Sequence, residues 1–213
     1  MTTLPDLSQY QFSAIVFDCD GTLVDSAALH YEAFRSGLLD QGLDMNRTWY
    51  MERTGLSRHA LIAAHAEEFG SQIDVPAVVA RSEDWFAENV HRMTEVAEIA
   101  GLARKYAGKV PIAVASGGQR VHVEGSLTAT GLIGLFDAIV TLEDVGVGKP
   151  DPAVFLKAAE LLGVPPRECL AFDDTDEGVE AATRAGMTTI DVRQLADWSS
   201  AAPTGGATMR SSD

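Results

Sequence analysis

Ser13-Ala14-Ile15-Val16-Phe17-Asp18-Cys19-Asp20-Gly21-Thr22 joins an apolar run to two carboxylates, two positions apart, at a glycine turn. A continuous apolar run that stops at polar residues predicts a strand buried on both faces, as in a parallel sheet. Similar runs occur at Val110 to Ala115, at Leu170 to Phe172 ending in Asp173, and at Thr188 to Val192; Ala138 to Leu142 is a weaker fifth. Amphipathic stretches separate them. Val154, Phe155, Ala158, Leu161 and Leu162 share one helical face. Asp151-Pro152 reads as the N-cap and first position of that helix, and Gly163 as its stop. Val179 to Ala185 is helix-like and closes at Gly186. Strands alternating with helices from residue 96 onward predict the α/β class: a Rossmann-like, doubly wound parallel sheet.

Residues 27–95 differ, with no buried-strand run. Leu29, Ala33, Leu38 and Leu39 suggest one helix. Leu61, Ile62, His65 and Phe69 line a second, and Val78, Val79, Ser82, Trp85, Phe86, Val90 and Met93 a third. The expectation is a core from residues 1–26 and 96–196, an inserted helical cap at 27–95, and a flexible Ser/Ala/Gly/Thr-rich tail at 197–213. The formal charge of −15 opposes binding to nucleic acid or anionic lipid, so any phosphate ligand needs local cations. No apolar run is long enough for a membrane span, and Met1 to Tyr10 lacks a secretion-signal pattern. Two cysteines give no disulfide framework, and a cytoplasmic location is expected.

Four strand ends carry polar chemistry. Asp18 and Asp20 at a sheet mouth are costly to hold together without a compensating cation, which a divalent metal would supply. An EF-hand fails on spacing, because Gly21 is fourth rather than sixth and the twelfth residue is Leu29. Ser116-Gly117-Gly118 places a hydroxyl and glycine N–H groups ahead of a helix, an anion-binding arrangement as well as an ordinary turn. Gly146-Val147-Gly148-Lys149-Pro150 is no Walker loop, since Glu143 stands at the first glycine position; its stiff turn could aim Lys149 inward. Asp173-Asp174-Thr175-Asp176-Glu177 closes another strand. Asp174 and Glu177 have capping-box spacing, which leaves Asp173 unexplained. In a parallel sheet all these ends open on one crevice, and together they suit a metal and a phosphoryl group.

In their order and spacing these motifs resemble the haloacid dehalogenase superfamily, over roughly residues 12 to 193. The nearest subgroup is the β-phosphoglucomutase-like enzymes and related sugar-phosphate phosphatases. Asp18 to Ser26 matches the first motif, Ser116 the second, Lys149 the third and Asp173-Asp174 the fourth. The resemblance implies that Asp18 is the nucleophile, forming an aspartyl-phosphate, and that Asp20 is the general acid and base. It implies Mg²⁺ held by Asp18, the backbone carbonyl of Asp20, Asp174 directly, and Asp173 directly or through water. Ser116, the Gly117 N–H and Lys149 would hold the transferring phosphoryl oxygens. Dehalogenases of the superfamily lack the second acid, so Asp20 favours phosphoryl transfer.

Departures from the pattern are Asp-Asp where relatives often have Glu-Asp, and Glu98-Ile99 where a Pro-Gly pair is usual near the hinge. The family's sheet sets Cys19 and Cys169 about five residues apart along neighbouring strands, roughly 16 Å at ~3.3 Å per residue, so both are expected free. In the cap, His30 and Arg58 fall where the mutases contact substrate. Arg58 matches the arginine for a second phosphate, and Arg120 is a candidate substitute for the mutase's missing polar pair. His59, His65, His91 and His122 read as structural or exposed, and Trp49 and Trp85 as cap core. The expected function is a Mg²⁺-dependent phosphatase of a small phosphorylated sugar or related metabolite, acting as a monomer or weak dimer. The alternatives are a phosphomutase and, in another class, a non-catalytic sugar-phosphate-binding protein.

Overall fold

The computed structural model describes residues 6–197 apart from 55, 57 and 71. The chain runs through β1 (Ala14–Phe17), β2 (Val24–Asp25), α1 (Ala27–Leu39), α2 (Arg47–Met51), α3 (Arg58–Phe69), α4 (Val75–Asn89) and β3 (Thr94–Glu95). It continues through α5 (Ala97–Tyr106), β4 (Ile112–Ala115), α6 (Arg120–Ala129), β5 (Ala138–Val140), α7 (Leu142–Val145) and α8 (Ala153–Leu162). Last come β6 (Cys169–Asp173), α9 (Asp176–Arg184) and β7 (Thr188–Asp191). The main sheet has five strands in the order β5-β4-β1-β6-β7, all its pairings parallel. The order reverses at β1, the switch point of a doubly wound sheet.

Alternation along β1 assigns the two faces. Ile15 and Phe17 pack with Ile99 and Leu102 of α5 and with Val123 and Leu127 of α6. Ala14 and Val16 face Phe155 and Ala158 of α8 and Ala181 and Ala182 of α9. On that second face Ala14, Ala113, Ala115 and Ala171 present only methyl groups, which lets the bulkier Phe155 seat against the strands. Phe17 stacks on Phe172 across the β1–β6 pair at 5.2 Å. Fully burying a side chain of this size contributes about 1.5–3 kcal/mol. Cys169 pairs in register with Ala14, five positions before Cys19, and both cysteines are buried and free, as expected.

Several details differ from the sequence reading. Thr94–Glu95 is a strand inside the stretch read as strand-free. It pairs antiparallel with β2, and two residues are too few to carry an alternating pattern. Helix α2 is likewise too short for a periodicity. The helix after Lys149 begins at Ala153, with Pro152 rather than Asp151 at the N-cap position; Asp151 Oδ1 accepts from the Ala153 N–H at 3.0 Å from one residue further out. Thr175, not Asp174, caps α9: its hydroxyl accepts from the Gly178 N–H at 3.0 Å. Leu39, Phe69 and Leu161, read as core-facing, are exposed. The tail beyond Asp197 lies outside the described residues. Among the described residues no helix is long and apolar enough to cross a membrane.

The helices between β2 and β3 have an apolar centre of their own, from Phe34, Leu38, Trp49, Tyr50, Leu61, Ile62, Val78 and Val79. Trp49 belongs to it as expected, whereas Trp85 packs on the core cluster. Helices α1 and α4 approach closely at Gly37. A Cβ there would sit 2.6 Å from the Val78 carbonyl oxygen and 2.9 Å from its Cγ1. Alanine gains about 1 kcal/mol over glycine in helix propensity, but overlap with a backbone atom costs about 1–3 kcal/mol. Gly37→Ala is therefore expected to be net destabilising, and a urea midpoint at or above wild type would show that the helices can part freely.

Candidate active site

Three sheet strands deliver their next residues to one edge. Asp18 follows β1, Ser116 follows β4, and Asp173 ends β6. The ladder holds the first two in place: Asp18 N–H donates to the Phe172 carbonyl and Ser116 N–H to the Val140 carbonyl, each at 2.9 Å. Lys149 reaches in from the turn before α8. Its Nζ donates to Asp18 Oδ1 at 2.6 Å and to Asp173 Oδ2 at 2.7 Å. Asp18 and Asp173 are buried, at 6% and 1% exposure.

Carboxylate oxygens of Asp18, Asp173 and Asp174 all lie within 4.8 Å of one another. Asp173 Oδ1 accepts from the Thr175 N–H at 2.9 Å and its hydroxyl at 2.8 Å, and Asp174 Oδ1 accepts from Thr22 Oγ1 at 3.1 Å. Two glycines permit this crowding. A Cβ on Gly178 would overlap the Asp173 carboxylate, and one on Gly21, at φ +83°, would overlap that of Asp174. Burial, and then the charge of Asp173, raise the Asp174 carboxyl to about 6. Burial raises Asp18 well above the usual carboxylate range despite Lys149, while the same two acids hold Lys149 above an ordinary lysine against its own desolvation. One ammonium is not enough charge for three acids. An all-oxygen, uncompensated donor set fits a hard divalent cation such as Mg²⁺.

Asp20 stands apart from this cluster. Its Oδ1 lies 3.3 Å from His30 Nε2, and the other ring nitrogen of His30 lies 3.4 Å from an Arg58 nitrogen. Arginine only donates, so the consistent tautomer carries its proton on Nε2 and donates to Asp20. Burial would raise Asp20, but hydrogen bonds from His30 and Ser26 and the Arg58 charge hold it at about 2. Ser116 Oγ accepts from the Gly118 N–H at 3.0 Å, and a Cβ on Gly118 would lie 3.5 Å from Asp20 Oδ2, so the second-motif turn borders Asp20. Gly117 faces open space.

The structure thus brings together Asp18, Asp20, Ser116, Lys149, Asp173 and Asp174, with His30 and Arg58 above Asp20. Arg120 does not join them: it bonds Glu124 at 2.9 Å and Asp144 at 2.5 Å. Thr22 was visible in the first motif without a role. Phe86, against which His30 stacks at 4.6 Å, read only as a core residue.

The fold, the three strand ends and the Lys149 turn define a hydrolase of the haloacid dehalogenase type, and comparison with known proteins agrees. A family model for haloacid dehalogenase-like hydrolases matches residues 12–186, and the chain belongs to that family. It is 30% identical to the fructose-1-phosphate phosphatase YqaB of Escherichia coli (strain K12), over 87% of this chain and 98% of that one. It is 27% identical to the beta-phosphoglucomutase of Bacillus subtilis (strain 168), over 85% and 83%. Among solved structures, a mutant of CbbY from Rhodobacter sphaeroides in complex with xylulose-(1,5)bisphosphate superposes with a TM-score of 0.73 at 25% identity, covering 84% of each chain.

Lys149→Met leaves the buried acids without their ammonium, a change expected to cost about 3–5 kcal/mol at pH 7 in the presence of chelator. The folded values of Asp18 and Asp174, already raised, then rise further above their unfolded ones. The penalty is therefore largest at neutral pH and shrinks as pH falls towards the unfolded carboxylate range. Added Mg²⁺ should recover part of the loss. Thermal melts across pH, with and without Mg²⁺, check both; a pH-independent penalty would contradict the charge argument.

Proposed function

We propose that this chain is a Mg²⁺-dependent phosphatase of small phosphorylated sugars, with residues 27–95 as its cap. The observation that carries the reading is the separation of two carboxylates. Asp18 lies inside the Lys149-bound acidic cluster, while Asp20, two residues on, is held outside it by His30. An Asp18 oxygen attacks phosphorus, the ester P–O bond breaks, and Asp20 gives the leaving alkoxide its proton. Asp20 then takes a proton from water as that water attacks the aspartyl-phosphate, releasing inorganic phosphate and restoring Asp18. Asp20 is ionised in the free protein. An arriving anion offsets the Arg58 charge and raises the proton affinity of Asp20, which loads the acid.

Asp18, Asp173, Asp174 and the Asp20 backbone carbonyl would hold the metal. When bound, Mg²⁺ neutralises charge on the transferring phosphoryl group and on Asp18. Lys149, Ser116 and the Gly117 N–H bind the phosphoryl oxygens, and Arg58 and His30 face the rest of the substrate. The names of the relatives support sugar phosphates as the substrate class. A phosphomutase, the second reading, needs a grip on a second phosphate from the core side. Gly117 and Gly118 carry no side chain there, and Arg120 is tied to Glu124 and Asp144.

With a panel of sugar monophosphates and phosphoglycolate, free phosphate is the expected main product. Phosphorus NMR showing a 1-phosphate converted to a 6-phosphate with little free phosphate would give the function to the mutase reading. Asp18→Asn is expected to abolish turnover, because an amide is no nucleophile; more than a few per cent of residual rate excludes the aspartyl-phosphate route. Excess chelator should silence the wild type and Mg²⁺ restore it.

A further inference from the structure

Two side chains near Asp20 have hydrogen-bonding capacity that nothing among the described residues uses. Tyr50, on α2, is 4% exposed, with its ring 5.6 Å from that of Tyr31 and 6.0 Å from that of Phe34. Its hydroxyl bonds to none of the described residues. Among these residues the one wholly buried side-chain polar atom without a partner is His65 Nδ1, so the Tyr50 hydroxyl meets solvent. There it feels the charges of both Asp20 and Arg58.

His122, in the first turn of α6, comes from the core rather than the cap. Its ring meets Phe86 of the cap edge-on at 5.1 Å, and neither of its nitrogens has a partner among the described residues. Phe86 is a shared surface: His30 stacks on it at 4.6 Å and the Arg58 guanidinium lies 5.5 Å from its centroid. Arg58 also lies 5.4 Å from Phe34, the neighbour of Tyr50. Of the described arginines, only Arg58 and the exposed Arg47 have no carboxylate in ion-pair contact.

We propose that Tyr50 and His122 are specificity-determining residues that hydrogen-bond hydroxyl groups on the leaving alcohol of a sugar monophosphate. This rests on the phosphatase reading and adds residues that recognise the sugar. The chemistry favours hydroxyls over a second phosphate. Burial, followed by the Arg58 charge, holds His122 neutral with a pKa of about 4, and burial keeps the Tyr50 phenol protonated. A neutral imidazole and a phenol each donate and accept, as a sugar hydroxyl does, whereas a phosphate only accepts and is best met by cations. A site built to bond a hydroxyl discriminates strongly against an analogue without one.

The test compares kcat/KM for fructose 1-phosphate, glucose 1-phosphate, glucose 6-phosphate and ribose 5-phosphate with that for phenyl phosphate, whose leaving group has no further hydroxyl. Tyr50→Phe and His122→Phe keep the rings and remove the polar atoms. Each is expected to lower kcat/KM on the best sugar phosphate roughly three- to tenfold more than on phenyl phosphate, the effect of one neutral hydrogen bond. The change should fall mainly in KM, and His122→Gln should recover part of it. Because the two substrates are assayed on one preparation, the ratio does not depend on the folded fraction. An equal loss on both substrates makes these residues structural and overturns the proposal. So does a loss larger for fructose 1,6-bisphosphate than for any monophosphate. A wild type that releases no phosphate from any of these esters overturns the phosphatase reading itself, and the proposal with it.

Discussion

Three carboxylates at the mouth of the sheet repel one another, and the architecture around them exists to hold them there. At an effective dielectric near ~20, two like charges ~4 Å apart cost about 4 kcal/mol. Lys149 bonds two of the three acids directly and leaves Asp174 to a single threonine hydroxyl. The repulsion that remains is visible in the raised proton affinities of Asp18 and Asp174. Such a cluster persists only where the backbone is over-determined. Here the central strand is buried on both faces, the ladder continues through Asp18, and glycines lie against two of the carboxylates. A divalent cation held by these acids would offset the charge that Lys149 leaves unbalanced and would stabilise the folded site.

The parts that sequence made legible are those with a strong local signature. The strand β1 is a continuous apolar run, and its acids, Ser116 and Asp173-Asp174 stand at strand ends, so parallel topology alone brings them together; Lys149, read as following a strand, instead reaches in from the turn between α7 and α8. His30 and Arg58 came from resemblance rather than periodicity, yet they form one chain of contacts onto Asp20. Less legible were features that depend on distant neighbours. The Asp174 side chain could cap α9 or face the acidic cluster, and spacing alone does not decide; Thr175 takes the cap, which leaves the acid to the cluster. Arg120 is free to serve a phosphate as far as sequence shows, but Glu124 and Asp144 occupy it. His122 is invisible as a site residue in sequence, because it gains meaning only from Phe86, a residue of the inserted segment.

The aromatic residues between the two layers have a double role. Phe86 belongs to the main apolar cluster of the sheet, yet it also carries His30 on one face and meets His122 at its edge. It couples the orientation of the groups around Asp20 to the packing of α4. The environment of the proposed acid–base residue is thus set partly by apolar contacts outside the motifs that define the family.

The paired strands β2 and β3 bear on how such a chain changes over evolutionary time. Val24 pairs with Glu95 and Asp25 with Thr94 in a two-stranded ribbon separate from the main sheet, so the inserted helices leave and rejoin the rest of the chain at neighbouring points. To the sheet, everything between Asp25 and Thr94 is one closed loop whose ends already touch. The entropy of closing such a loop grows only with the logarithm of its length, about 0.6 kcal/mol for each doubling. Lengthening, shortening or replacing the insertion therefore costs the sheet little, provided the two-strand junction survives. Recognition can diversify on the far side of that junction while the charged cluster beneath it keeps its geometry.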